Sequence, residues 1–140
     1  MKTTLKKEKF KGEKMIEDVK LAMQTRHNAC CKYSEFEVGA VLRTKSGKIY
    51  TGCNIENDGI QSICAERTAF VKALSEGERE FEGITVIGAE KGKEPTEECM
   101  PCGYCRQFMN EYTDKDFKIY VVDKDNKIKK YTIEELLPEA

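Results

Sequence analysis

The sequence predicts a single layered α/β domain, because helix-like and strand-like segments alternate along it. The chain has 140 residues, 39% of them hydrophobic, which is enough for one domain with a core and too short for two ordinary domains. No internal repeat or low-complexity segment interrupts the alternation. The order of the segments therefore defines the fold class.

The N-terminus is a basic segment with little apolar content, and its lysines are Lys2, Lys6, Lys7, Lys9 and Lys11. Such a charge run is more often a solvated arm than a binding surface. Residues 1–12 are therefore interpreted as a charged arm and residues 13–140 as the domain. From Glu13, apolar side chains recur at helical spacing and predict a helix to about residue 28.

A hairpin and a second helix follow. Residues 36–42 and 49–55 have strand character on either side of a turn at Ser46 and Gly47. A helix is predicted from residue 62 or 63 to about residue 76, where Gly77 ends it. Residues 84–88 are predicted to form a buried strand.

The C-terminal third supplies the remaining elements. They are predicted as a helix over residues 101–112, strands over 117–122 and 127–131, and a short helix over 133–137. Pro101 suits the first turn of a helix, where its missing amide hydrogen is not needed. Thr132 and Glu135 have the spacing of a capping box, which marks the start of the last helix.

Composition argues against nucleic acid and membranes as partners. The chain has 24 Lys plus Arg and 25 Asp plus Glu, whereas a nucleic-acid-binding domain usually has a basic excess. No apolar run approaches roughly 18 residues and no signal-peptide pattern is present, so a cytoplasmic location is expected. Seven cysteines without an export signal favour metal ligation or buried thiols over disulfides.

Two short segments carry the predicted chemistry, namely Cys64-Ala65-Glu66 and Pro101-Cys102-Gly103-Tyr104-Cys105. The three cysteines supply three soft ligands for a tetrahedral zinc, and Glu66 supplies a proton carrier beside its open position. A structural zinc is the alternative, but such sites usually close the fourth position with Cys or His. The only histidine, His27, belongs to the first predicted helix.

A site with three thiolates needs positive partners, because the excess negative charge weakens the pull of zinc on water. Cys64 lies at the predicted start of one helix, and Cys102 and Cys105 lie in the first turn of another. The positive ends of both helices can therefore offset the excess. Arg67 adjoins the site and can add a full positive charge, with hydrogen bonds to a ligand sulfur.

These segments resemble the signature of the zinc-dependent cytidine deaminases, Cys-Ala-Glu followed by Pro-Cys-x-x-Cys. The resemblance extends from about residue 13 to residue 138. It implies a three-layer α/β/α sandwich with a mixed, mostly five-stranded sheet, and Zn²⁺ as cofactor. It also implies that Glu66 takes a proton from a zinc-activated water, delivers it to the cytosine ring nitrogen and later protonates the departing ammonia.

The same resemblance assigns four residues to a nucleoside substrate. Phe36 corresponds to an aromatic that packs on the pyrimidine, although a phenylalanine that opens a strand usually packs inward. Asn54 and Glu56 alternate onto one face of an extended segment, where both can bind ribose hydroxyls. Without the resemblance, such a pair would be interpreted as exposed polar residues with no specific role. The amide of Ala65 corresponds to the donor to the base carbonyl, and simple helix initiation is its alternative.

Three functions are compatible with the sequence. The first is deamination of free cytidine and deoxycytidine in pyrimidine salvage, which Arg67, Asn54 and Asn57 favour. The second is a blasticidin-S-type deaminase, which shares the cysteine segments and a similar C-terminal helix. The third is a noncatalytic module whose fold is held together by a structural zinc ion.

The resemblance also implies a homotetramer. Residues 58–61, however, form a shorter segment than the corresponding loop of the family and lack its tyrosine.

Overall fold

The computed structural model describes the backbone of residues 2–139 and the side chains of residues 12–139. The helices are α1 (Lys2–Thr25), α2 (Ala65–Ser75), α3 (Gly103–Tyr112) and α4 (Ile133–Leu136), and a 3₁₀ turn at Arg26–Asn28 follows α1. The strands are β1 (Phe36–Thr44), β2 (Ile49–Cys53), β3 (Phe81–Glu90), β4 (Lys118–Val122) and β5 (Ile128–Thr132). The predicted order of helices and strands is therefore confirmed.

The strands form one mixed sheet in the order β2-β1-β3-β4-β5. β1 is antiparallel to both β2 and β3, and β4 is antiparallel to β5. β3 and β4 are parallel, and α3 lies in the crossover connection that a parallel pair requires. The mixed five-stranded sheet that the resemblance implies is thus present.

Helices cover both faces of this sheet. On one face, α1 packs over a small buried cluster, whose members are Ala22, Val41, Ile87 and Val122. On the other face, α2, α3 and α4 enclose the larger cluster around Phe70. The Phe70 ring lies 5.0 Å from Phe81, 5.9 Å from Phe108 and 5.8 Å from Phe117, measured between centroids. The result is the expected three-layer α/β/α sandwich.

Two glycines let helices approach the sheet closely. A Cβ atom on Gly39 would lie 2.1 Å from the carbonyl oxygen of Ala22 in α1. A Cβ atom on Gly52 would lie 2.3 Å from the carbonyl oxygen of Ala65, the first residue of α2. Both distances are far inside van der Waals contact, so any side chain at these positions displaces the helix. Gly52 therefore fixes where α2 begins.

The first helix is longer than the sequence pattern indicated. It begins at Lys2 rather than Glu13, so the backbone of the basic segment is helical. Lysine and glutamate have high helix propensity, and they can extend a helix without adding to its apolar face. Along the described residues, none of the helices combines the length and the apolar character needed to cross a bilayer.

The starts of α2 and α3 also differ from the predicted ones. α2 begins at Ala65 rather than at residue 62 or 63, because the backbone of Ile63 is bonded to that of Ile55 in an antiparallel bridge. α3 begins at Gly103, so Pro101 precedes the helix instead of lying in its first turn. In the last helix, Thr132 and Glu135 form the predicted capping box, which is confirmed.

Substitution of Gly52 tests the close approach of α2. We expect Gly52→Ala to lower the free energy of unfolding by about 2–3 kcal/mol, because the added methyl group overlaps the backbone of α2. Gly12→Ala is the control: among the described atoms, none lies within 4 Å of its Cβ position in α1, and alanine favours helix over glycine by about 1 kcal/mol. Denaturant unfolding measures both. Equal stability of Gly52→Ala and the unsubstituted chain would contradict the close approach.

Candidate active site

Three thiols converge where α2 and α3 begin. Cys64 is the N-cap residue of α2, Cys102 is the N-cap residue of α3, and Cys105 lies in the first turn of α3. The sulfur of Cys102 is 3.5 Å from that of Cys64 and 3.6 Å from that of Cys105. Tetrahedral zinc with Zn–S bonds of about 2.3 Å places its sulfurs about 3.8 Å apart. The observed spacing therefore fits a zinc ion.

The ligand set is incomplete, as a catalytic metal centre requires. Within the described side chains, the only group of His, Cys, Asp or Glu ligands close enough to share a metal is Cys64, Cys102 and Cys105. Neither Glu66 nor Cys99 belongs to it, although both are near these cysteines in sequence. Three ligands leave the fourth tetrahedral position for water or substrate, whereas structural zinc sites are closed by a fourth residue.

Positive charge surrounds the sulfurs. Neither N-cap cysteine caps its helix with its side chain, so both sulfurs remain available beside the unpaired amides of the first turns. Arg67 Nη2 lies 3.8 Å from Cys64 Sγ and donates to the carbonyl oxygen of Ser62 at 3.4 Å. The hydrogen bond from Cys105, together with Arg67, lowers the pKa of Cys64, whereas the same contact and burial raise the pKa of Cys105. Of the two thiols, Cys64 therefore ionises first.

Glu66 is the buried carboxyl group of this site. It is the second residue of α2 and only 5% exposed. Burial raises the pKa of Glu66 to about 7, because a charged carboxylate loses its hydration there. A carboxyl group that titrates near neutral pH can both accept and release a proton. The residue is thus suited to proton transfer at the open metal position.

A short backbone pairing connects the metal cluster to the predicted nucleoside residues. Ile55 and Ile63 exchange two hydrogen bonds, N to O, of 2.9 and 2.8 Å. In this antiparallel arrangement Asn54 lies opposite Cys64, one position from the bridge. Glu56 follows Ile55 on the other side. The structure therefore brings the two predicted halves of the site together through adjacent backbone.

Phe36 and Asn54 occupy different environments. Phe36, the first residue of β1, is 37% exposed and belongs to neither buried cluster, which argues against the alternative of a plain core aromatic. Asn54 is only 9% exposed. Its amide oxygen accepts from the Val38 amide at 2.9 Å, and its Nδ2 donates to the Phe36 carbonyl at 2.9 Å. Asn54 therefore binds the backbone of the strand that carries Phe36 and is not an exposed polar residue without a structural role.

Glu56 and Ala65 complete the predicted set. The carboxylate of Glu56 accepts hydrogen bonds from the backbone amides of Tyr33 and Ser34 and from the Ser34 hydroxyl. The Ser34 hydroxyl is the main reason that the pKa of Glu56 lies below its ordinary value. Ala65 is fully buried, and its amide is among those that have no partner within α2. All nine predicted site residues thus lie on the start of α2, the start of α3 or the adjoining strand ends.

The geometry agrees with an independent comparison with known protein families. The model of the cytidine and deoxycytidylate deaminase zinc-binding region matches residues 13–121. The chain belongs to this family. The match includes both helix starts that carry the three cysteines and Glu66.

Individual members of the deaminase family are similar over almost the whole chain. The cytidine deaminase of Halalkalibacterium halodurans is 44% identical over 87% of this chain and 89% of its own length. The cytidine deaminase of Sporosarcina psychrophila is 40% identical over 91% of this chain and 89% of its own length. The crystal structure of cytidine deaminase from Burkholderia pseudomallei superimposes with a TM-score of 0.79 at 36% identity, covering 89% of this chain and 96% of that one.

Three contributions to this deaminase site were not predicted from the sequence. Ser34 binds Glu56, as described above. Arg106 donates from Nε to the Pro101 carbonyl at 2.7 Å and from Nη1 to the Leu136 carbonyl at 2.9 Å, which ties the start of α3 to α4. Gly88 has no side chain, and the side chains of Phe36 and Cys99 occupy the space beside it. A Cβ atom on Gly88 would lie 2.7 Å from both of them. Only the position of Arg106, directly after a ligand cysteine, could have indicated its role.

Metal analysis tests the three-thiol cluster. We expect one zinc ion per chain, and loss of that ion in Cys64→Ser, Cys102→Ser and Cys105→Ser after dialysis against a chelator, because two thiolates hold zinc far more weakly than three. Cys30→Ser is the matched control, since Cys30 is an exposed free thiol outside the cluster. Full zinc retention by all three cluster variants would rule out this site.

Proposed function

We propose that the protein is a zinc-dependent hydrolase that converts free cytidine and deoxycytidine to uridine and deoxyuridine, with release of ammonia. The observation that carries this proposal is the open cluster of three thiols with a buried carboxyl group beside it. Membership of the deaminase family and similarity of 40–44% to proteins named cytidine deaminases support it. The expected deaminase activity is thus preferred over a noncatalytic zinc module.

Cys64, Cys102 and Cys105 hold the zinc ion, and the helix N-termini with Arg67 compensate the charge of the three thiolates. The chemistry that zinc supplies is activation of a water molecule for attack on C4 of the cytosine ring. Neutralisation by the protein matters here, because an uncompensated set of three thiolates would reduce the acidity of that water. Arg67 lies within reach of Cys64, as this role requires.

Glu66 is the proton carrier. It accepts a proton from the attacking water and delivers it to the ring nitrogen of cytosine. It then takes the second proton from the new C4 hydroxyl group and passes it to the C4 amino group, which leaves as ammonia when the C4–N bond breaks. These steps need a group that gains and loses a proton within one cycle. The burial of Glu66 supports this role, since it brings the pKa of the carboxyl group to about 7.

Four residues bind the nucleoside. Phe36 packs its exposed ring on the pyrimidine, and the amide of Ala65 donates to the base carbonyl at the start of α2. Asn54 and Glu56 bind the ribose hydroxyls from the extended segment that follows β2. The backbone pairing of Ile55 with Ile63 supports this division, because Asn54 and Glu56 flank Ile55 and Cys64 follows Ile63.

The proposed function also implies a cellular location, a domain organisation and an oligomeric state. A deaminase of free nucleosides acts in pyrimidine salvage, which is a cytoplasmic process. Residues 13–140 form the catalytic domain, and residues 1–12 form a charged N-terminal arm; the side chains of residues 1–11, on which its solvation depends, lie outside the described residues. We further propose a closed homotetramer.

The chemical role of Glu66 gives the decisive activity test. We expect zinc-loaded protein to release ammonia from cytidine, and Glu66→Gln to lose about 10²–10⁴-fold in kcat while keeping its zinc, because glutamine cannot transfer the proton. Arg79→Gln is a control, since Arg79 bonds only nearby carbonyl groups at the end of α2. Ammonia release and metal content are measured on the same samples.

Blasticidin S in a parallel assay separates the two deaminase functions. Turnover of blasticidin S without turnover of cytidine would contradict the proposed substrate and favour the antibiotic. Turnover of neither compound by protein with one zinc per chain, or full activity of Glu66→Gln, would contradict a deaminase mechanism through this residue.

Light scattering tests the proposed assembly. We expect a molar mass equal to four chains at micromolar concentration, because the family resemblance implies a homotetramer whose sites are completed by neighbouring subunits. A mass equal to one chain, in a sample that is fully active, would overturn the homotetramer and would show that each site is complete within its own chain.

A further inference from the structure

The carboxylate of Glu56 is held almost entirely by two consecutive residues. Glu56 Oε1 accepts from the amide of Tyr33 at 3.2 Å and from the amide of Ser34 at 3.1 Å. Glu56 Oε2 accepts from the Ser34 hydroxyl. These residues lie more than twenty positions earlier in the chain, so the contacts are tertiary. They restrain both the position and the rotation of the carboxyl group.

Ser34 is the principal partner of the Glu56 carboxylate. An ionised carboxylate offers about four hydrogen-bond acceptor sites, two on each oxygen. Oε1 of Glu56 accepts two hydrogen bonds, from the amides of Tyr33 and Ser34, and Oε2 accepts one from the Ser34 hydroxyl. The Asn54 side chain also hydrogen-bonds this carboxylate and helps to lower the pKa of Glu56, after the larger effect of Ser34.

The direction of the Ser34 hydroxyl is fixed by a second contact. The amide of Phe36 donates to Ser34 Oγ at 3.1 Å, so this oxygen is an acceptor on the side of the backbone. Its own hydrogen is then directed to Glu56 Oε2. Phe36 itself does not depend on this contact alone, because its carbonyl is bound by Asn54 and its strand is paired with β3.

Backbone hydrogen bonds restrain the turn that carries Ser34. Glu35 has a φ of 55°, a left-handed conformation that costs energy for a residue with a side chain. Its amide donates to the Cys31 carbonyl at 2.7 Å, and its carbonyl accepts from the Lys91 amide at 2.7 Å. These two hydrogen bonds hold the turn in place. Ser34 is therefore presented to Glu56 by a preformed segment.

We infer that Ser34 is a positioning residue for the nucleoside: its hydroxyl and amide orient the Glu56 carboxylate for binding of a ribose hydroxyl. This inference rests on the proposed function, since it assumes that Glu56 binds the sugar. Ser34 touches neither the base nor the metal ligands in this scheme. Its loss should affect sugar binding and leave the chemical step intact.

Comparison of two substrates tests the inference. We expect Ser34→Ala to lower kcat/KM for cytidine roughly tenfold through KM, because a charge-assisted hydrogen bond that orients Glu56 is lost. For 2′,3′-dideoxycytidine, which offers Glu56 no ribose hydroxyl, kcat/KM should change less than about twofold, since no sugar contact remains to be lost. Ser34→Thr keeps a hydroxyl and should restore most of the affinity for cytidine.

Ser46→Ala is the matched control, because Ser46 lies in the turn between β1 and β2 and bonds only Thr44. It should leave both substrates unaffected. An equal loss on cytidine and its dideoxy analogue, a loss in kcat alone, or failure of Ser34→Thr to restore affinity would overturn the positioning role. Absence of cytidine turnover in the unsubstituted protein would instead overturn the proposed function and this role with it.

A titration that does not depend on activity tests the contact itself. We expect Ser34→Ala to raise the pKa of Glu56, followed by ¹³C NMR of labelled glutamate in the zinc-loaded protein, because the Ser34 hydroxyl is the main cause of its lowered pKa. An unchanged pKa of Glu56 in a folded Ser34→Ala protein would overturn the inference even where cytidine is turned over.

Discussion

The starts of α2 and α3 must lie within the reach of one metal ion, and much of the fold serves that requirement. The sulfurs that they carry are within 4.8 Å of one another. Gly52 lets α2 pack directly against β2, Arg106 ties the start of α3 to α4, and Phe70 and Phe108 join the two helices in the core. Because both helices point their positive ends at the same place, the fold itself stabilises a cluster of thiolates.

The features that could be predicted from the sequence are those that depend on local pattern. Strand and helix order follows from periodicity and from turn residues, and the capping box at Thr132 is a local signal. The metal cluster could be predicted because each ligand lies in a short segment next to a helix start. The start of α2 could not, because Ile63 pairs with Ile55 in another segment, and this long-range contact overrides the local preference for helix.

The interactions of the nucleoside side depend on tertiary contacts and were only partly predictable. The family resemblance assigns Asn54 and Glu56 to ribose, and their alternation places them on one face, but neither gives information on what else those side chains bind. In the structure Asn54 is buried against the backbone of β1 and Glu56 is bound to Ser34. A buried amide such as that of Asn54 must satisfy its hydrogen bonds within the protein. The same groups therefore support the strand ends and limit how a ligand can approach.

The loop of residues 57–62 does not set the separation of Glu56 and Cys64. The Asn57 amide donates to Ser62 Oγ at 2.9 Å, and the paired backbones of Ile55 and Ile63 close the loop at its base. Glu56 and Cys64 are each one residue from that bridge, so their spacing depends on the bridge. A change in loop length therefore affects only the residues at the tip of the loop. In this chain the tip carries Ile60, which is 97% exposed.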